Sequence, residues 1–284
     1  MSDARPFTSG RDQVISYPVT AAGIRTRVVE SVGGGTPLVC LHGAGSRADR
    51  FVPAVPGLVD AGYHVYAIDS PGHGLADKGA GPEYTAAGFA SFVTGVLDQL
   101  GLSAVTVAGT SLGAHVAAHL ALTRPDLVSS LVLIGAIGLA PLPEENMTPR
   151  EVLADASDAG VRRKLDLLVA DPAMVTDAWV REESMINSSL GARESLTATA
   201  DFLLGPCNDD LLADALRAAG LGTRTLLVWG EDDRWTPLSM GEAAHAALPG
   251  SELAVMTGCG HAPYFEDPDR FAEIMAGWRR RQLG

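Results

Sequence analysis

Val105-Thr106-Val107-Ala108-Gly109-Thr110-Ser111-Leu112-Gly113-Ala114-His115-Val116-Ala117-Ala118 is the stretch on which the reading of this chain turns. It begins as an apolar, β-branched run of strand length and ends as a run of small helix formers. Between the two lies Gly109-Thr110-Ser111-Leu112-Gly113, a Gly-x-Ser-x-Gly motif at the junction of strand and helix. A turn this tight brings the two backbones together, so the residues two before and two after the serine must be tiny. It projects the serine oxygen above the sheet edge and points the free N–H groups of the helix start at developing negative charge. Ser111 is therefore the candidate nucleophile.

Outward from this unit, short apolar runs alternate with helical patterns. Strands are expected at residues 26–30, 37–41, 64–68, 104–108, 131–134, 225–229 and 252–256, and helices at 84–100, 112–123, 239–247 and 268–282. Runs such as Leu38-Val39-Cys40-Leu41 and Leu131-Val132-Leu133-Ile134 are apolar on both faces, as in a parallel sheet covered by helices on both sides. The fold class is α/β, a doubly wound, mostly parallel sheet. Between about 139 and 222 the alternation stops, and only helical patterns remain, at 149–156, 161–169, 172–187, 192–204 and 209–219. This segment reads as an all-helical lid inserted into a core made of residues 1–138 and 223–284.

Loops at the carboxyl ends of parallel strands share one edge, so partners for Ser111 are sought there. His261, in Gly258-Cys259-Gly260-His261-Ala262-Pro263 just past the last strand, is the candidate base among seven histidines. Glu231, Asp232 and Asp233 follow another strand and are candidates for the acid that orients it. The His42-Gly43-Ala44-Gly45 loop lets backbone approach a substrate oxygen, and the Ala44 and Leu112 amides are the expected oxyanion donors. His42 is expected to brace that loop. His115 and His119 form an i,i+4 pair, but no neighbouring carboxylate or cysteine completes a metal set, so they are expected to pack.

Composition excludes other classes. The net charge of −13 over 284 residues, with one basic cluster at Arg279-Arg280-Arg281, argues against nucleic acid or anionic membrane as partners. No apolar run approaches the roughly 20 residues that span a bilayer. Residues 1–10 lack the apolar segment of a secretion signal. Three cysteines make no disulfide framework. A cytoplasmic protein acting on a small-molecule substrate is expected; homo-oligomerisation stays open. No metal, nucleotide or flavin motif is present, and no cofactor is expected.

Together with Ile68-Asp69-Ser70-Pro71-Gly72-His73-Gly74 and Gly260-His261-Ala262-Pro263-Tyr264-Phe265-Glu266, these motifs resemble the α/β-hydrolase superfamily over residues 25–280. The resemblance implies a Ser111–His261–Asp233 triad, Asp233 being favoured by the Gly-x-x-Asp-x-x-x-Pro spacing from Gly230 to Pro237. Within the superfamily the chain looks like the meta-cleavage product (carbon–carbon bond) hydrolases and their esterase relatives. It departs from them at Thr110, where they place Asn, and at Ala262, where they place Trp. Neither Arg181 nor Arg193 aligns with their lid arginine.

The implied activity is hydrolysis through an acyl-enzyme. Cleavage of a carboxylic ester of a small, largely apolar substrate ranks first. Carbon–carbon cleavage of a vinylogous diketone ranks second, with lactone hydrolysis also open. A ligand-binding receptor of the same fold ranks last, because every catalytic position is filled. Pocket residues are expected to be His42, Gly43, Thr110, Ile137, Met147, Trp179, Met185, Phe202, Leu203, Trp235, Ala262 and Tyr264.

Overall fold

The computed structural model describes residues 14–79 and 81–283; the expectation for residues 1–10 lies outside them. Eight strands form one sheet: β1 (Val14–Ala21), β2 (Ile24–Ser31), β3 (Thr36–Leu41), β4 (Tyr63–Ile68), β5 (Val105–Thr110), β6 (Val128–Ile134), β7 (Thr225–Gly230) and β8 (Glu252–Met256). Their order is β1-β2-β4-β3-β5-β6-β7-β8. The pairs from β4 through β8 are parallel, and β1 and β2 make an antiparallel edge.

The alternation of side chains across each strand splits the core in two. On one face Val39, Leu41, Val105, Val107, Leu131, Leu133, Leu227 and Trp229 pack against α2 (Ala86–Leu100) and α3 (Leu112–Thr123), while α1 (Val55–Asp60) lies elsewhere. On the other face Leu38, Cys40, Ala108, Val132, Ile134, Leu226 and Val228 meet Leu58 of α1 and Phe271, Met275 and Trp278 of the last helix. Each aliphatic side chain buried this way contributes about 1.5–3 kcal/mol. Burial on both faces is why these strands read as unbroken apolar runs.

Strand order reverses at β3, which lies between β4 and β5. This is the topological switch point, where the loops leaving two neighbouring strands diverge and open a crevice. Leu41 pairs with Gly109, so the loop after β3 and the turn after β5 leave the sheet at one level.

Between β6 and β7 the described residues form helices and no strand: α4 (Arg150–Leu153), α5 (Asp158–Leu168), α6 (Asp177–Asn187), α7 (Ala192–Leu203), α8 (Pro206–Asp209) and α9 (Ala213–Ala218). The core closes with α10 (Leu238–Ala247), α11 (Pro263–Glu266) and α12 (Pro268–Leu283). No helix among the described residues is long and apolar enough to cross a membrane.

Two differences from the sequence expectations have local causes. The stretch expected as one helix at 172–187 is a short 3-10 turn followed by α6, because the Thr176 side chain caps the Trp179 amide and starts a new helix. β1 lies outside the expected strands, and as an edge strand it tolerates the N–H missing at Pro18.

Candidate active site

Ser111 has φ 55° and ψ −118°, a conformation rare for any residue but glycine, and it sits between β5 and α3. Such backbone costs about 1–3 kcal/mol and is held by its surroundings. The Ser111 amide donates to Ile134 O at 2.9 Å. A Cβ on Gly109 would lie 2.1 Å from Gly113 O, and one on Gly113 would lie 2.3 Å from Leu41 O. Both flanking glycines are thus dictated by backbone contact, as the motif predicted.

His261 Nδ1 donates to Asp233 Oδ2 at 2.7 Å. Asp233 is buried, and its other oxygen accepts from the Trp235 and Thr236 amides, both at 2.8 Å. The Thr236 hydroxyl donates to Oδ2 at 2.8 Å and lies 3.2 Å from both Gly135 O and His261 Nδ1. These contacts fix the carboxylate and with it the imidazole tautomer that leaves Nε2 free to accept a proton. A Cβ on Gly135 would meet His261 Nδ1 at 2.9 Å, so the loop after β6 needs glycine to make room for the pair. Glu266 supports the histidine loop from below, accepting from the amides of Gly260 (2.9 Å), Ala262 (3.2 Å) and Ala170 (2.6 Å). Leu168 O accepts from the His261 amide at 2.8 Å, tying the same loop to the helical insert.

Ser111 and His261 line one cavity of about 990 Å³, counting the space open to solvent. No hydrogen bond joins the hydroxyl to the imidazole in this structure, and in ligand-free enzymes that contact commonly tightens only when substrate binds. Gly43 backs onto the serine, since its Cβ would lie 3.1 Å from Ser111 Cβ. Ala44 lines the cavity, and Leu112 opens α3 with an amide that no helical carbonyl can satisfy. Among the described residues neither amide donates elsewhere.

Of the expected pocket residues, Gly43, Thr110, Ile137, Leu203, Trp235 and Tyr264 line the cavity. His42 does not: it is buried behind the loop, where Nδ1 donates to Gly43 O and Nε2 accepts from the Ser70 amide. This is the bracing role, and burial holds its pKa below the usual histidine value. Met147, Trp179, Met185, Phe202 and Ala262 are also off the wall. Met185 faces solvent, Trp179 stacks on Arg50 with 4.2 Å from Cζ to the ring, Phe202 packs against His115, and Met147 and Ala262 pack into the core.

The lining that sequence reasoning missed is apolar at Leu142, Leu153, Val161, Leu165 and Leu168 and polar at a second set of positions. Arg50, Lys164, Glu183, Asn146 and Asn187 all line the cavity. Arg50 pairs with Glu183, 133 residues away, and Arg47 reaches the same carboxylate at 3.3 Å. Lys164 donates to Leu153 O and Asp155 O, both at 2.8 Å, and burial pulls its pKa down to about 8. Ser46 Oγ, Arg50 Nε, Thr110 Oγ1 and Trp235 Nε1, on residues that line the cavity, are enclosed without a hydrogen-bond partner. Nothing in their local sequence marks them, because they meet only when the insert folds over the β3 loop. Asp233–Thr236 was more legible: an aspartate bonded to the amide two residues on is a common turn.

A family model described as the alpha/beta hydrolase fold matches residues 36–268. The chain belongs to the α/β-hydrolase fold family. It is 29% identical over 258 residues to the 2-hydroxy-6-oxononadienedioate/2-hydroxy-6-oxononatrienedioate hydrolase of Escherichia coli, covering 87% of this chain and 88% of that one. It is 32% identical over 254 residues to the dihydrolipoyllysine-residue acetyltransferase component of the acetoin cleaving system of Cupriavidus necator, covering 89% of this chain and 66% of that protein's length. In fold it resembles the meta-cleavage product hydrolase of Pseudomonas fluorescens, with a TM-score of 0.81, 24% identity, and coverage of 94% of this chain and 98% of that one.

Proposed function

We propose that this α/β hydrolase cleaves a carbon–carbon bond in a small, carboxylate-bearing vinylogous diketone. In this reading Ser111 is nucleophile, His261 base and Asp233 its orienting acid, beneath a lid formed by residues 139–222. The observation that carries it is the pair of cations, Arg50 and Lys164, set into the cavity wall. Arg50 and Lys164 against Glu183 leave an excess of one positive charge in an otherwise largely apolar lining. A charge held among apolar side chains is stabilised by an opposite one, so the cavity favours a carboxylate-bearing ligand over a plain apolar ester. The similarity to the dienedioate hydrolase supports the same ranking. Ester cleavage, first on sequence alone, moves to second.

Chemically, His261 takes the Ser111 proton as Oγ attacks the ketone carbon. The Ala44 and Leu112 amides hold the oxyanion; such a donor is worth about 3 kcal/mol in the transition state. Collapse breaks the carbon–carbon bond, and the electron pair flows into the conjugated carbonyl while a proton returns from His261. Only a conjugated leaving group can take that pair, which is why the substrate must be vinylogous. Water, deprotonated by His261, then releases the acid from Ser111.

The test offers the purified enzyme a ring-cleavage dienoate and p-nitrophenyl acetate. Dienoate kcat/KM well above that of the ester, with both abolished in Ser111→Ala, is expected. Ester turnover far above dienoate turnover overturns the substrate class, and activity surviving in Ser111→Ala overturns the nucleophile.

A further inference from the structure

A second cluster of chemistry-bearing side chains lies away from the cavity. His115 and His119 stand one turn apart on α3, the helix that starts at Ser111. Sequence reasoning gave them no acidic companion, and the fold corrects this. Asp210, in the segment where the helical insert returns toward the core, brings Oδ2 to 2.6 Å from His119 Nε2 and 3.1 Å from His115 Nε2. One ligand atom from each residue lies within 4.8 Å of those of the other two.

His115 is the informative member. It is fully buried, its ring pressed against the Gly138 backbone, yet neither ring nitrogen makes a hydrogen bond. Asp210 Oδ2 is near His115 Nε2 but outside hydrogen-bond geometry, and it already serves His119. A buried imidazole with both nitrogens unsatisfied is costly unless something else takes a lone pair.

We propose that His115, His119 and Asp210 form a binding site for a divalent first-row transition ion of the Zn²⁺ type. Two imidazole nitrogens and one carboxylate oxygen are a donor set that Zn²⁺ accepts, with bonds of about 2.0–2.2 Å. Tetrahedral ligands at that distance stand about 3.3 Å apart, so the contacts at 2.6 and 3.1 Å need only a small spread. Asp210 is 35% exposed, which leaves the fourth position to water. The site has a structural place. Leu212 N donates to Gly138 O at 2.8 Å, and Asn208 exchanges hydrogen bonds with the Leu142 backbone at 2.8 and 3.0 Å, so both ends of the insert meet here. An ion bound by α3 and Asp210 would pin that junction to the nucleophile helix.

The experiment uses untagged full-length protein, stripped with chelator and titrated with Zn²⁺, with bound metal and thermal midpoint as readouts. One equivalent is expected, raising the midpoint. His119→Gln and Asp210→Asn, both at partly exposed positions, should each weaken binding at least tenfold and remove the rise. His261→Gln should keep the equivalent, which separates this site from the His261–Asp233 pair. Failure to retain Zn²⁺, retention unchanged in both variants, or loss in His261→Gln overturns the proposal.

Discussion

Replacing Asp233 by Asn changes one charge and almost no shape, and the structure dictates how the amide must sit. Oδ1 accepts from two backbone amides at 2.8 Å, so the Asn carbonyl is forced there; an NH₂ group would face two donors. The NH₂ then takes the Oδ2 position, 2.7 Å from His261 Nδ1. It donates to Nδ1, drives the ring proton to Nε2, and removes the lone pair that accepts the Ser111 proton. The Thr236 hydroxyl can turn to Gly135 O at 3.2 Å and accept from the amide, so stability changes little. The expected loss is about 10⁴ in kcat, or about 5.4 kcal/mol at 1.36 kcal/mol per decade. Steady-state turnover of dienoate and ester, with circular dichroism melts as control, measures it. A folded variant within tenfold of the parent kcat refutes the role given to Asp233.

Gly113→Ala puts a Cβ 2.3 Å from Leu41 O and 2.7 Å from His42 O, so α3 must move off β3 and carry Ser111 with it. About 1–3 kcal/mol of stability and about 10²-fold in kcat should be lost, read by denaturant melts and initial rates. Glu183→Gln strips the buried Arg50 guanidinium, itself pushed down in pKa by burial, of its counter-charge. A destabilisation of about 3–5 kcal/mol in urea titrations is expected; a change under 1 kcal/mol would contradict it. Burial holds the Lys164 pKa at about 8 in the folded chain against 10.5 when free. Between those values the unfolded chain holds a proton the folded one has lost, so stability from this group rises with pH. Subtracting the Lys164→Met unfolding free energy from that of the parent, from pH 7 to 10.5, should give a difference that climbs above pH 8.

The two halves of the site differ in how much of them the sequence carried. Gly109, Ser111 and the alternating apolar strands were legible because their constraints are local, a backbone approach within five residues or burial with period two, whereas Gly113 is held against Leu41 of β3 and was legible only through the motif. His261 and the acidic loop were legible because a parallel sheet delivers the ends of its strands to one edge. Residue type alone does not separate Glu231, Asp232 and Asp233; the Gly-x-x-Asp-x-x-x-Pro spacing favours Asp233, and the structure adds its turn back onto the Trp235 and Thr236 amides.

The rest was decided only by tertiary structure. Arg50 meets Glu183, and His119 meets Asp210 across 91 residues. Neither contact has a period or spacing to betray it, since each arises where the helical insert folds back onto the core. Sequence by itself determined the scaffold and the candidate reacting groups, because short-range sterics and side-chain alternation are written residue by residue. Which charges line the cavity, and which carboxylate reaches the two histidines of α3, depends on how distant segments pack, and that is settled only when the whole chain closes on itself.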